Sequence, residues 1–193
     1  MLGGCSLTKV AIIGSKGIPA CYGGFETLAE NMVRHLAKKF SFIVYCSGPG
    51  YEEHRDEYLG AELKYIPLGA NGIQSIPYDV ISMLSARRHA DILLILGVSG
   101  CLFLPLVKLF SRKKFVVHLD GVDWRRPKWG FFARNFLRLS EWVAARSADH
   151  LIADNLVIQK YIKANYGRDS FLVAYGGDHA LSELPQVEDT DLS

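Results

Sequence analysis

LTKVAIIGSKGIPACYGGFETLAENMVRHLAKKF, Leu7 to Phe40, decides how the rest of the chain is read. Its first part is a short β-branched run that stops on Gly14, the pattern of an interior strand. Its last part sets Phe25, Leu28, Ala29, Met32, Val33 and Leu36 at helical spacing, with Glu30, Arg34 and Lys38 elsewhere, and so predicts a helix with one buried face. Between the two lies a glycine-rich turn. Glycines after a first strand let the backbone approach an anion closely, and the helix that follows adds unpaired N–H donors and a favourable dipole. The spacing matches neither G-x-G-x-x-G nor a loop closed by Gly-Lys-Ser/Thr. Tyr45-Cys46-Ser47 stands where a nicotinamide-binding domain wants an acidic residue, which disfavours NAD. From the glycines alone, an anion site and a plain tight turn are both open.

Outward from this stretch the alternation repeats. FIVYCS, LKYIPL, DILLILG, KFVVHLD, HLIAD and SFLVAYG read as strands, and helix-length segments such as PYDVISMLSARRHA and GFFARNFLRLSEWVAARSA stand between most of them. Strands joined by helical crossovers predict an α/β fold, a doubly wound, mainly parallel Rossmann-like sheet with helices on both faces. The pattern covers residues 1–178; residues 179–193 are short, polar and acidic, and read as a tail or the start of a linker. Ile92 to Phe110 is apolar enough to resemble a membrane span, but Gly97, Gly100 and Pro105 interrupt it, so a buried strand followed by a buried helix is expected.

The 193 residues are 49% hydrophobic, enough for one well-packed domain, and 22 Lys plus Arg against 20 Asp plus Glu leave a net charge of only +2, which gives no field for nucleic acid. The four cysteines are widely separated, with no C-x-x-C pair, and are expected to be reduced, buried thiols of a cytoplasmic protein. The N-terminus shows no secretory pattern, so export is not expected.

Ligands of such folds bind beyond the carboxyl ends of the strands. That rule selects the turn after Gly14, Gly97 to Gly100, His118 to Trp129, Asp154 and Asn155, and Tyr175 to Asp178. His118 and Asp120 alternate by two, so within a strand they share a face, and either one can face a ligand or serve the core. The run Asp123, Trp124, Arg125, Arg126, Lys128 and Trp129 mixes cations with indoles: arginine grips diphosphates and tryptophan stacks on sugars, although a solvated loop with tucked aromatics has the same composition. Lys108, Arg112, Lys113 and Lys114, then Phe131, Phe132, Arg134, Phe136 and Arg138, form patches suited either to anionic lipid or to solubilising helix ends. Neither a Ser-His-Asp arrangement nor a metal-ligand cluster is evident.

GIPACYGGFET and DGVDWRRPKWG, with SADHLIADNLVIQKYI and AYGGD, make the chain resemble the N-terminal half of bacterial rhamnosyltransferase-like enzymes of glycosyltransferase family 4, from about Lys9 to Asp178. The resemblance implies a retaining enzyme of GT-B architecture, in which two Rossmann-like domains face across a cleft. It implies a nucleotide-sugar donor, dTDP-rhamnose above all, a lipid-linked glycan acceptor, and no cofactor or metal. In such enzymes the second domain holds much of the donor through two glutamates about two helical turns apart; no such pair occurs here, so the chain reads as half an enzyme, inactive alone. Carried onto this sequence, Gly17, Tyr22, Gly23, Gly24, Glu26 and Thr27 would face the donor diphosphate. Asp120 and His118 would take the catalytic or sugar-orienting part, and Asp123 to Trp129 the acceptor. A cytoplasmic protein resting peripherally on the inner face of the plasma membrane is expected. A sugar-nucleotide 2-epimerase, or a stand-alone phosphate- or sugar-binding module, is the alternative.

Overall fold

The computed structural model describes residues 7–21, 23–119, 121, 123–127 and 129–174. Tyr22, Asp120, Lys128 and the expected tail at 179–193 therefore lie outside the described residues, as does the Tyr175–Asp178 segment.

The strand and helix expected at the N-terminus are β1, Thr8–Ile13, and α1, Gly24–Leu36. They are followed by β2 (Phe40–Ser47), a short β3 (Glu57–Tyr58) and β4 (Ala61–Ile66). Next come α2 (Ser75–His89), β5 (Ile92–Leu96), α3 (Leu104–Leu109) and β6 (Lys114–Leu119). The described chain closes with α4 (Phe131–Ser147), β7 (His150–Ala153), α5 (Leu156–Tyr166) and β8 (Phe171–Leu172). The apolar stretch from Ile92 divides as expected, into β5 and, after a 3-10 turn at Cys101–Phe103, the six-residue α3. Among the described residues, no helix is long and apolar enough to cross a membrane.

The strands form one eight-stranded sheet in the order β3-β4-β2-β1-β5-β6-β7-β8, parallel throughout except for the β3–β4 pair at the edge. Counting only the parallel strands, the order runs 3-2-1-4-5-6-7, the doubly wound arrangement, with its reversal between β1 and β5. The register there pairs Val10 with Ile92 and Ile13 with Ile95, so both strands end together.

Alternate residues of each strand feed two cores. Ala11, Ile13, Leu93, Ile95, Phe115 and Val117 point to a cluster covered by α2, α3, α4 and α5. Val10, Ile12, Val44, Leu94 and Leu96 point to a second cluster covered by α1 through Ala29 and Val33. Helices lie on both faces, as expected, but among the described residues four lie on one and one on the other.

Candidate functional site

At the reversal point the chain leaves β1 and β5 through glycines with positive φ, Gly14 at 91° and Gly97 at 90°. A Cβ on Gly14 would stand 2.2 Å from the carbonyl oxygen of Leu96, so nothing larger than glycine fits between the two strand ends. The segment that follows is held from below. The buried Tyr78 hydroxyl of α2 lies between two carbonyl oxygens, Ser15 at 2.9 Å and Tyr45 at 2.8 Å, which share its single proton, and the Ser47 amide donates to the Lys16 carbonyl at 2.9 Å. Gly17, with φ 119°, packs against Cys46: a Cβ there would lie 2.5 Å from the Cys46 sulfur.

The loop then folds back over the start of α1. Glu26 accepts the Gly23 amide at 2.7 Å and Glu30 accepts the Ala20 amide at 2.7 Å, so two of the loop's N–H groups are satisfied internally. The Thr27 hydroxyl donates to the Gly23 carbonyl at 3.1 Å. The Gly24 and Phe25 amides, in the first turn of α1, have no hydrogen-bond partner among the described residues, as helix geometry dictates.

These elements form one lip of a cleft of about 630 Å³ at the carboxyl ends of the parallel strands. Ser15, Lys16, Gly23, Gly24 and Phe25 line this lip. Gly97 to Ser99 and Asn71 to Ser75 contribute to its walls, and Gly121, Arg126, Trp129 and Asp154 stand on the far side. Lys16 makes no ion pair among the described residues; its stem packs on Gly50 and its ammonium lies 6.0 Å from the Tyr51 ring centroid. The cleft thus holds two cations, Lys16 and Arg126, with free amides and an indole, a set suited to an anion joined to a flat or ring-shaped group.

The expected site residues divide into two groups. Gly23, Gly24, Glu26, Arg126 and Trp129 all border the cleft. Gly17, Thr27, His118, Trp124 and Arg125 take supporting places. His118 is buried in β6, with its ring edge-on to Phe25 at 5.5 Å, and it meets the cleft through that phenyl group. Burial pushes its imidazole pKa down, with the Asp154 charge acting weakly in the other direction. Arg125 and Arg138 both lie over the Trp124 ring, at 5.1 and 5.4 Å, and Arg125 also faces Tyr161 at 6.0 Å. Behind this stack the buried Glu141 of α4 accepts hydrogen bonds from the Tyr161 and Tyr166 hydroxyls of α5, and desolvation raises the pKa of both phenols. Asp123 begins the 3-10 turn Asp123–Arg125 that carries this stack.

Lys16 belongs to the turn selected after Gly14, whereas the Asn71–Ser75 segment and Asp79 join the site without having been expected there. Lys16 stands in plain view inside GSKG, and Asn71 follows a strand as the expected residues do. Asp79 gives no signal, since it lies within a helix. Its buried carboxylate accepts the Gly100 amide at 3.0 Å and so fixes the Gly97–Gly100 wall; desolvation lifts its pKa to about 8. The expectation of buried, reduced thiols holds in part. Cys46 and Cys101 are buried and free, with burial pushing the Cys46 thiol up to about 11, whereas Cys21 is exposed because it sits at the outer tip of the loop between β1 and α1. Cys5 lies outside the described residues. Among the described residues, no group of three or more His, Cys, Asp or Glu could hold a metal ion.

A sheet of this order, reversing between β1 and β5 and carrying a cleft over that point, is the Rossmann-like α/β domain found in GT-B proteins. The chain belongs to the family described as a domain of unknown function, DUF1972, which matches residues 7–178. No curated protein matches the sequence. Sucrose-phosphate synthase from Thermosynechococcus elongatus has a similar fold, with a TM-score of 0.70 and 10% identity over 88% of this chain and 48% of that one. HepE of Anabaena, solved in complex with UDP, gives 0.59 and 15% identity over 88% and 44%. A UDP-N-acetylglucosamine 2-epimerase from Rickettsia bellii gives 0.47 at 13% identity, over 82% and 42%, too distant to bear on the site. The chain spans less than half the length of each of these structures.

Proposed function

We propose that this domain forms one wall of the active site of a retaining glycosyltransferase, which moves a sugar from a nucleotide diphosphate to a lipid-linked polysaccharide precursor. One observation carries the reading: the cleft at the sheet's reversal point is lined on opposite sides by Lys16 and Arg126, beside the open amides of Gly24 and Phe25 and the Trp129 indole. Charge builds on the departing diphosphate during transfer, and fixed amides and cations stabilise it most in a site that excludes water. The UDP in complex with HepE supports a donor of this class.

In this reading a second domain faces the cleft and carries much of the donor. Asp120 orients the sugar or the acceptor hydroxyl, His118 supports the cleft wall through Phe25, and Arg126, Lys128 and Trp129 hold the acceptor, with Trp124 and Arg125 supporting them. No protein nucleophile is assigned; the donor phosphate itself takes the acceptor proton. Rhamnose, dTDP and a metal-independent reaction are the choices the resemblance favours, and transfer is expected to persist in EDTA. The protein works in the cytoplasm.

Titration calorimetry of the full-length protein with UDP and dTDP, followed by a transfer assay on lipid-linked acceptor, tests the reading. Saturable binding of one nucleotide, weakened about tenfold by Lys16→Ala, is expected. If neither nucleotide binds, or if a sugar nucleotide turns over with no acceptor present, glycosyl transfer is the wrong class.

A further inference from the structure

Asp154 follows Ala153, the last residue of β7, and lines the far wall of the cleft with Arg126 and Trp129. Its orientation is fixed by its neighbour. Asn155 caps α5: its side-chain oxygen accepts the Ile158 amide at 2.9 Å, and its side-chain nitrogen donates to Asp154 Oδ1 at 3.0 Å. Both ends of that side-chain amide are engaged, so the first turn of α5 holds the carboxylate in place. Among the described residues, the other oxygen, Oδ2, has no hydrogen-bond partner and the carboxylate makes no ion pair. Asp154 is half-buried, and its charge reaches the buried His118 of β6, where it opposes the effect of burial on the imidazole.

We infer that Asp154 decides which sugar the far wall admits: it accepts hydrogen bonds from neighbouring hydroxyls of an uncharged ring and bars a ring that carries a carboxylate. This rests on the cleft being the transfer site proposed above. A fixed carboxylate in a cleft can answer an ammonium, a metal ion or hydroxyl groups. Lys16 and Arg126 border the same space and disfavour an ammonium. A metal ion wants further ligands, and no group of three His, Cys, Asp or Glu that could supply them exists among the described residues. Hydroxyls remain, and their hydrogen bonds to a carboxylate are among the strong ones. The Trp129 indole on the same wall offers apolar surface to the C–H face of a ring. A uronate would instead set two negative charges together where water is partly excluded. The α5 dipole also favours an acid near its N-terminus, but an acid outside the cleft would serve it equally well.

Saturation-transfer NMR of the full-length protein tests this, with methyl α-L-rhamnopyranoside and methyl α-D-glucopyranoside as uncharged probes and methyl α-D-glucopyranosiduronate as the charged one. Calorimetry with UDP and dTDP accompanies it. Saturable binding of an uncharged glycoside is expected, and none of the uronate. Asp154→Ala should weaken glycoside binding about tenfold, whereas Asp154→Asn, which keeps an acceptor oxygen, should retain most of it and admit the uronate. Neither substitution should weaken nucleotide binding, because each removes a negative charge from the surroundings of an anion. The inference is overturned if the wild type binds no uncharged glycoside or holds the uronate equally well, or if Asp154→Ala changes only the melting temperature, as a role confined to the α5 dipole would require. A protein that binds a nucleotide yet fails these tests keeps the transferase reading and loses this one. A protein that sorts the glycosides but binds neither nucleotide does the reverse.

Discussion

At the lip after β1, position is set by backbone contact: Gly14 abuts the Leu96 carbonyl, and Tyr78 bridges the Ser15 and Tyr45 carbonyls from below. At the lip after β6, position is set by side chains stacked on one another, with Arg125 and Arg138 on Trp124 and Glu141 bonded to two tyrosines behind them. A contact between main-chain atoms has no rotamers through which to relax, whereas a stack of long side chains yields one torsion at a time. Damage to the main-chain contacts of the first lip should therefore register as lost folding, and damage to the side chains of the second as lost binding.

The sharpest way to break this contrast is Gly14→Ala. The left-handed backbone and the overlap with Leu96 together should remove at least about 4 kcal/mol from unfolding in urea, and a loss below about 1 kcal/mol would leave the first lip no stiffer than the second.

Next in size is the pH response of Asp79, which braces the wall between the lips. Its carboxyl holds a proton up to about pH 8 in the folded state but releases it near pH 4 when unfolded. Over that interval the native state binds the extra proton, so stability should fall as pH rises, by up to about 1.4 kcal/mol per pH unit, and level off above 8. Asp79→Asn keeps an acceptor for the Gly100 amide and should flatten the slope; urea midpoints at pH 5, 7 and 9 for both proteins decide the matter.

Tyr78→Phe strips one hydroxyl from two buried carbonyls and should cost about 2 kcal/mol, read as a lower midpoint with the cleft intact. The smallest effect on folding belongs to the second lip. Arg126→Ala should change stability by less than about 0.5 kcal/mol while weakening UDP or dTDP binding about tenfold by calorimetry. A large stability loss there would erase the distinction between the lips.

Much of the sheet is legible in the chain because burial on both faces leaves apolar runs such as ILLIL, with no polar alternation to confuse them. The two-residue β3 is beyond reach: a pair such as Glu57–Tyr58 carries no period, and its place depends on β4 alongside it. The strand-end rule locates both lips, since Gly14, Gly97 and Arg126 all follow strands. It does not tell which residues of those loops face solvent. Gly17 and Thr27 look inward because of Cys46 and the Gly23 carbonyl, partners distant or indifferent in sequence terms, and His118 is screened by Phe25, a residue from another element. Asp79 stays hidden for the same reason, as its partner Gly100 lies 21 positions away.

The 2.2 Å approach at Gly14 also bears on how the gene can vary. Every missense change of a glycine codon installs at least one carbon where the Leu96 oxygen already sits, so in a saturation library only synonymous codons should survive at that position. The same codon then marks the floor of any growth or abundance assay against which milder alleles across the domain can be scaled.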